Sequence, residues 1–253
     1  MSLSYSAAQV RAQDIDRFHL AQKAPTSAQE GWLALAAFSL ELARTASRVS
    51  DPNLGLIRLQ WWREVLEELE GGGPVRAHQV ALDLQRVAPR LHMSLLHQMV
   101  RAREADLQPD APMALEDLRA YLMQTYGSLL CAQAHMLPLE EGAEGMANHL
   151  GCAHGFISLA RGLAVGQRPR QPADWQEAPL LGIETALVQA VLHMDRAEEL
   201  HQEAKNIKQL RPIFATASLV RAWLKIFEQT ANPLGQARFA RPLPFQALRL
   251  AFA

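Results

Sequence analysis

Cysteine is nearly missing from this chain. Two cysteines in 253 residues, Cys131 and Cys152, cannot make a disulfide framework, so a reducing compartment is expected. Aromatic residues are scarce, at 6%, and no alternating run suggests a strand. No stretch of 18 or more apolar residues occurs, so no segment is expected to span a membrane. The opening MSLSYSAAQVRAQDIDRFHLAQ has no apolar segment flanked by basic residues, so no secretory signal is expected. Net charge is also absent. The 25 basic and 26 acidic residues nearly cancel, which leaves no electrostatic footprint for nucleic acid. No glycine-rich phosphate loop is present, and the GGG at 71–73 reads as a helix end and turn. No linker rich in Pro, Gly or Ser and no repeat period divides the chain, so one domain over 1–253 is expected.

What is present favours helix. Hydrophobic residues make up 49%, and Ala, Leu, Gln, Glu and Arg dominate. Glycine and proline fall between periodic segments. Helices are expected near 5–23, 28–50, 53–70, 76–87, 89–106, 114–136, 141–164, 180–204 and 213–230, with 166–182 as the longest loop. The expected fold class is all-α, a helical bundle.

Three groups of residues invite a functional reading. The run SLELARTASRVS carries Glu41, Arg44 and Arg48 at i, i+3 and i+7, a charged stripe on an otherwise apolar helix. The following helix, PNLGLIRLQWWREVLEELE, has one apolar row of Leu54, Ile57, Trp61 and Val65 and another of Leu59, Trp62, Leu66 and Leu69. Trp62 reads first as a buried structural residue, and alternatively as part of a pocket lined by Arg58, Trp62 and Arg63. Cys131 with His135, and His149 with Cys152, each have spacing for two metal ligands. Buried cysteines and surface histidines are commoner, so no metal is expected. The tail interleaves Arg238, Arg241 and Arg249 with Phe239, Phe245, Leu248, Leu250 and Phe252. It is expected to pack back onto the domain, with a membrane surface as the alternative.

The segment ALAAFSLELARTASRVSDPNLGLIRLQWWREVLEELEGG, with YLMQTYGSLLCAQAHML and ANHLGCAHGFISLARGLAVG after it, resembles the squalene/phytoene synthase family over roughly residues 15 to 250. The resemblance implies an all-helical enzyme that joins two prenyl diphosphates head to head, with Mg²⁺ held between two aspartate-rich helices. It places the first acidic motif near Ala43, Arg44 and Ser47, and the second, after Arg161, at Gly162 and Gly166. None of these is acidic, and no Asp or Glu lies between Leu150 and Arg170. A hard cation needs facing carboxylates, and ionisation of a prenyl diphosphate needs that cation on the leaving group.

The segment resembles still more a branch of the superfamily that assists assembly of respiratory complex I and lacks complete acidic motifs. A non-catalytic assembly role is therefore the expected function. Respiratory-complex subunits or assembly intermediates are the implied partners, and no cofactor is required. The expected location is the cytoplasm, with peripheral contact at the inner face of the membrane. Glu41, Arg44, Arg48, Arg58, Trp62, Arg63, Tyr126 and Arg161 are the candidates for a degenerate cavity. They would serve either as a structural remnant, with Glu41 paired to Arg44, or as a site for an anion, lipid headgroup or prenyl diphosphate. The alternative is an active prenyl transferase, which alone would need Mg²⁺.

Overall fold

A computed structural model describes residues 3–108, 111, 113–138, 143–167, 169–202 and 210–243. Every regular element among them is helical. The chain opens with α1 (Tyr5–Gln13) and α2 (Ile15–Ala21), not the single helix expected over 5–23. Asp14 makes the break: its side chain accepts from the Arg17 N–H at 3.0 Å and starts a new helix.

Helix α3 (Thr26–Ala43) buries an alanine-rich face with Trp32, Leu35 and Phe38 each at most 1% exposed. It stops seven residues short of the expected end at 50. Short polar side chains compete for the backbone there. The Thr45 hydroxyl donates to the Glu41 carbonyl and that of Ser47 to the Arg44 carbonyl, and the chain tightens into a 3₁₀ turn at Ala46–Arg48. Asp51 caps the next helix, α4 (Pro52–Glu70), by accepting from the Asn53 N–H at 2.9 Å, and proline occupies its first turn. Gly72, with φ +69°, ends it.

Helices α5 (Gln79–Arg86), α6 (Met93–Ala102) and α7 (Leu115–Leu122) follow, with a 3₁₀ turn at Arg103–Leu107. A π-helical turn at Met123–Gly127 separates α7 from α8 (Ser128–Ala134) and interrupts the helix expected over 114–136. Its partner explains it. Across from it in α9 (Ala143–Ala164) lies Gly151, where a Cβ would sit 2.4 Å from the Tyr126 carbonyl oxygen. The two backbones touch, and only glycine permits that. Helix α9 packs lengthwise on α11 (Pro179–Gln202) and also meets α8 and α12 (Arg211–Glu228). The stretch 166–182 is not all loop, because α10 (Ala173–Glu177) buries Trp175 there. A final 3₁₀ turn, Ala237–Ala240, buries Phe239 against Trp223 and Phe227. The packed-tail expectation holds for that turn. Phe245, Leu248, Arg249, Leu250 and Phe252 lie outside the described residues.

One of the two α4 rows is buried as expected: Leu59, Trp62, Leu66 and Leu69 are all at most 5% exposed. The other is buried only at Val65 and, in part, Trp61. Leu54 is 50% and Ile57 64% exposed, on the side of α4 away from α6 and the 103–107 turn.

Candidate functional site

The charged stripe begins on α3 and ends on the 3₁₀ turn that follows. Because the helix ends at Ala43, Arg48 folds back and Glu41 pairs with it, not with Arg44. The Arg48 Nη1 donates to the Glu41 carboxylate at 3.0 Å. The Gln9 side-chain amide donates to the other oxygen. Glu41 is buried and both its oxygens are engaged, so the acid holds α1 and the turn onto α3. Arg44 is half-buried at the helix end, and Arg48 keeps 42% of its side chain exposed.

Trp62 closes the apolar side of this corner. It meets Phe38, Trp61 and His78 edge to face at ring distances of 5.1, 4.9 and 5.1 Å. Burial lowers the His78 pKa against the pull of Glu41, and Arg58 and Arg48 lower it further. Arg58 lies exposed on α4. Arg63 is ion-paired to Glu104 and bonds Gln60 at 3.1 Å. Among the described residues Trp62 is a structural wall, and of Arg58, Trp62 and Arg63 it is Arg63 that borders a groove. A surface groove of about 390 Å³ does lie on the outer side of α4, between Leu56, Ile57, Gln60, Trp61, Arg63 and Glu64.

Tyr126 sits elsewhere, half-buried on the π-helical turn. The Arg17 guanidinium lies 4.8 Å over its ring, and His154 meets it edge-on at 5.7 Å. Together with Leu129, Leu130, Gln133 and Thr216 they surround a cavity of about 20 Å³. That is room for about one water molecule. Sites for extended small molecules run to roughly 300–1,000 Å³. Burial, then the nearby Arg17, push the His154 pKa down to about 3, so it is neutral at pH 7.

Arg161, at the C-terminal end of α9, has all three faces of its guanidinium occupied. Nε donates to the Phe239 carbonyl at 3.1 Å, Nη1 to Asp16 at 3.2 Å and Nη2 to the Arg241 carbonyl at 3.0 Å. The plane stacks 3.9 Å over Trp223. Arg161 therefore ties α9, α2, α12 and the C-terminal 3₁₀ turn together. Asp16 is 4% exposed, and its pKa is raised by burial even against Arg161. The eight candidates thus fall into four places: the Glu41 corner, the outer side of α4, the cavity beside Tyr126 and the Arg161 clamp. Gln9, Asp16, Arg17 and His154, which partner them, escaped the sequence reading, since each acts across a distance in the chain that no local pattern records.

The residues do not fit a Mg²⁺ cluster. The motif positions hold Ala43, Arg44, Ser47, Gly162 and Gly166. Gly166 lies beyond the end of α9 with φ +76°, a conformation aspartate adopts only under strain. A Cβ at Gly162 would meet the Gln167 side-chain oxygen at 3.0 Å. Carboxylates are absent and the backbone for the last one has left the helix.

The cysteine–histidine pairs are also rearranged. Cys152 lies 3.5 Å from His193 Nε2, whose Nδ1 is 2.8 Å from His149 Nδ1. The buried Cys131 thiol donates to the Glu144 carbonyl at 3.2 Å, and burial pushes its pKa up to about 12. Both thiols are protonated and enclosed, which makes them unreactive.

The architecture is that of known synthases. It superposes on a dehydrosqualene synthase with a TM-score of 0.74 at 15% identity, over 98% of this chain and 94% of that one. A squalene synthase from Alicyclobacillus acidocaldarius gives a TM-score of 0.70 at 14% identity, over 94% of each chain. In sequence the chain is 28% identical to NADH dehydrogenase (ubiquinone) complex I, assembly factor 6, of Mus musculus over 64% of its length, and 29% identical to that of Homo sapiens over 60%. A Drosophila melanogaster homolog is 26% identical over 81% of this chain and 60% of its own length. The chain spans about half the length of the mammalian relatives it matches, 49% and 46%. The squalene/phytoene synthase profile matches residues 10–242, and the chain belongs to that family.

Proposed function

We propose that this chain is a non-catalytic member of the family that acts in assembly of a respiratory NADH dehydrogenase of the complex I type. The observation that carries the reading is the state of the catalytic centre. The positions where the resemblance puts metal ligands carry Ala43, Arg44, Ser47, Gly162 and Gly166, and the cavity beside Tyr126 holds about 20 Å³. A diphosphate would find no carboxylate-held cation at those positions, and the cavity beside Tyr126 is too small for a prenyl chain. The assembly role itself is supported by the names of the relatives. The active prenyl transferase is the runner-up, and no observation favours it.

Peripheral membrane contact at an inner face belongs to the same proposal. It is supported by the first turns of α4, where Leu54, Leu56 and Ile57 are exposed on the same helix as the exposed Arg58, a mixture suited to anionic lipid. No helix among the described residues is long and apolar enough to cross a membrane. The test is deletion of the gene in its own organism, followed by native gels stained for NADH dehydrogenase activity. Loss of the assembled complex, restored by the wild-type gene, is expected. An undiminished complex would overturn the proposal.

A further inference from the structure

Away from those motif positions, three potential metal ligands at the ends of three helices come together. His92 precedes α6, His135 follows α8, and Glu144 lies in the first turn of α9. One ligand atom from each lies within 4.8 Å of the other two. The two imidazoles are stacked, 4.4 Å between centroids and 18° between planes. His135 Nε2 is 2.6 Å from the Glu144 carboxylate yet lacks the alignment of a hydrogen bond. His92 is held from behind: the Ser94 hydroxyl lies 3.0 Å from its Nδ1, which fixes the ring and leaves Nε2 open.

We propose that His92, His135 and Glu144 form a site for a divalent metal ion of the zinc class, clamping α6, α8 and α9 at their ends. The donor set decides the class of ion. Two imidazole nitrogens and one carboxylate suit Zn²⁺, Co²⁺, Ni²⁺ or Cu²⁺, whereas Mg²⁺ and Ca²⁺ take oxygen ligands. Three protein ligands leave a fourth position for water. The Ser94 contact is the kind of outer support that orients a ligating histidine. Tetrahedral coordination with bonds of about 2.0–2.2 Å places ligand atoms roughly 3.3 Å apart. Reaching that spacing requires the stacked imidazoles to turn toward one point and the His135–Glu144 contact to open, which the exposure of His92 and of 60% of the Glu144 side chain permits. The i, i+4 pair Cys131 and His135 supplies only its histidine, because the Cys131 thiol points to the Glu144 carbonyl. This site is independent of any role in assembly.

The test uses the full chain without an affinity tag, freed of metal by chelation. Zn²⁺ is titrated by calorimetry, and Co²⁺ by visible absorption, which reports tetrahedral nitrogen and oxygen ligation. One ion per chain is expected, with melting temperature rising by several degrees at saturation. His92→Ala, His135→Ala and Glu144→Gln should each weaken binding at least tenfold, and Ser94→Ala about tenfold. His97→Ala, in a neighbouring pair with Glu70, should leave it unchanged. Circular dichroism of the metal-free variants separates lost ligation from lost fold, and Glu144→Gln preserves shape. No saturable binding, or any of the three ligand substitutions weakening it less than tenfold, overturns the proposal. So does binding that is abolished instead by His149→Ala, which would move the ion to the His149–His193 cluster.

Discussion

Replacing Arg161 by methionine keeps the aliphatic stem and removes the charge. The structure says what is then left behind. Asp16, 4% exposed, loses the one cation within ion-pair distance among the described residues, and the carbonyls of Phe239 and Arg241 lose these donors. Removing one partner of a buried ion pair costs about 3–5 kcal/mol. The loss from Asp16 has a ceiling, because the carboxyl can protonate instead. Neutralising an ordinary carboxylate at pH 7 costs about 4 kcal/mol, and burial already raises the Asp16 pKa, which lowers that ceiling. The stacking on Trp223 adds about 1 kcal/mol. A total near 4 kcal/mol should lower the melting temperature by roughly 8–16 °C in a chain of this size. Calorimetry at pH 7 and pH 5 checks the cause as well as the size. The gap to wild type should narrow at pH 5, where Asp16 accepts a proton more readily. Adding Asp16→Asn should recover about 1–3 kcal/mol. A variant melting within about 2 °C of wild type would refute the clamp, and would be the behaviour of an arginine facing open ligand space.

Stability should fall as the solution is acidified. Burial first, and then neighbouring positive groups, hold His154 at about 3 and His193 at about 4. Both folded values lie below the unfolded value near 6.5, so the unfolded chain binds more protons; stability is level above pH ~6.5 and drops by about 2 kcal/mol per histidine by pH 5. Asp16, with its raised pKa, opposes part of this drop, and urea unfolding between pH 7.5 and 5.0 that shows level or rising stability would contradict it. Gly151→Ala should cost at least about 2 kcal/mol in urea unfolding, because the added methyl meets backbone and not a movable side chain. Trp62→Ala should cost about 3–5 kcal/mol and Arg58→Ala less than about 0.5, since one is buried and the other exposed. Leu54→Ser with Ile57→Ser should leave the melt unchanged and reduce sedimentation with vesicles containing anionic lipid, and unchanged sedimentation would remove the first turns of α4 from any membrane contact.

The all-helical fold and most helix positions were legible because the apolar residues recur at helical spacing and Gly and Pro mark the breaks. The interruptions were not. Asp14, Thr45 and Ser47 end helices by bonding backbone groups that a periodicity count treats as helical. The π-helical turn at Met123–Gly127 depends on Gly151, 24 or more residues away in sequence. That Ala43, Arg44, Ser47, Gly162 and Gly166 stand where the resemblance puts carboxylates could be read from the sequence. What replaced them could not. Arg161 looked like a stranded cavity residue, and its partners, Asp16 and the Phe239 and Arg241 carbonyls, lie 145, 78 and 80 residues away. The stripe that drew attention to Glu41 assumed a continuous helix through Arg48. The helix ends first, and that is what lets Arg48 turn back onto the acid. His92 and Glu144 lie on separate elements from His135, so local spacing along the chain could not bring the three together.

The most direct test of a non-catalytic centre is diphosphate release by the purified chain. Farnesyl and geranylgeranyl diphosphate are supplied with Mg²⁺ or Mn²⁺, beside an active synthase under the same conditions. With carboxylates absent from both motif positions, release at background level is expected while the synthase turns over. Release above background that chelator abolishes would contradict it and restore the prenyl transferase.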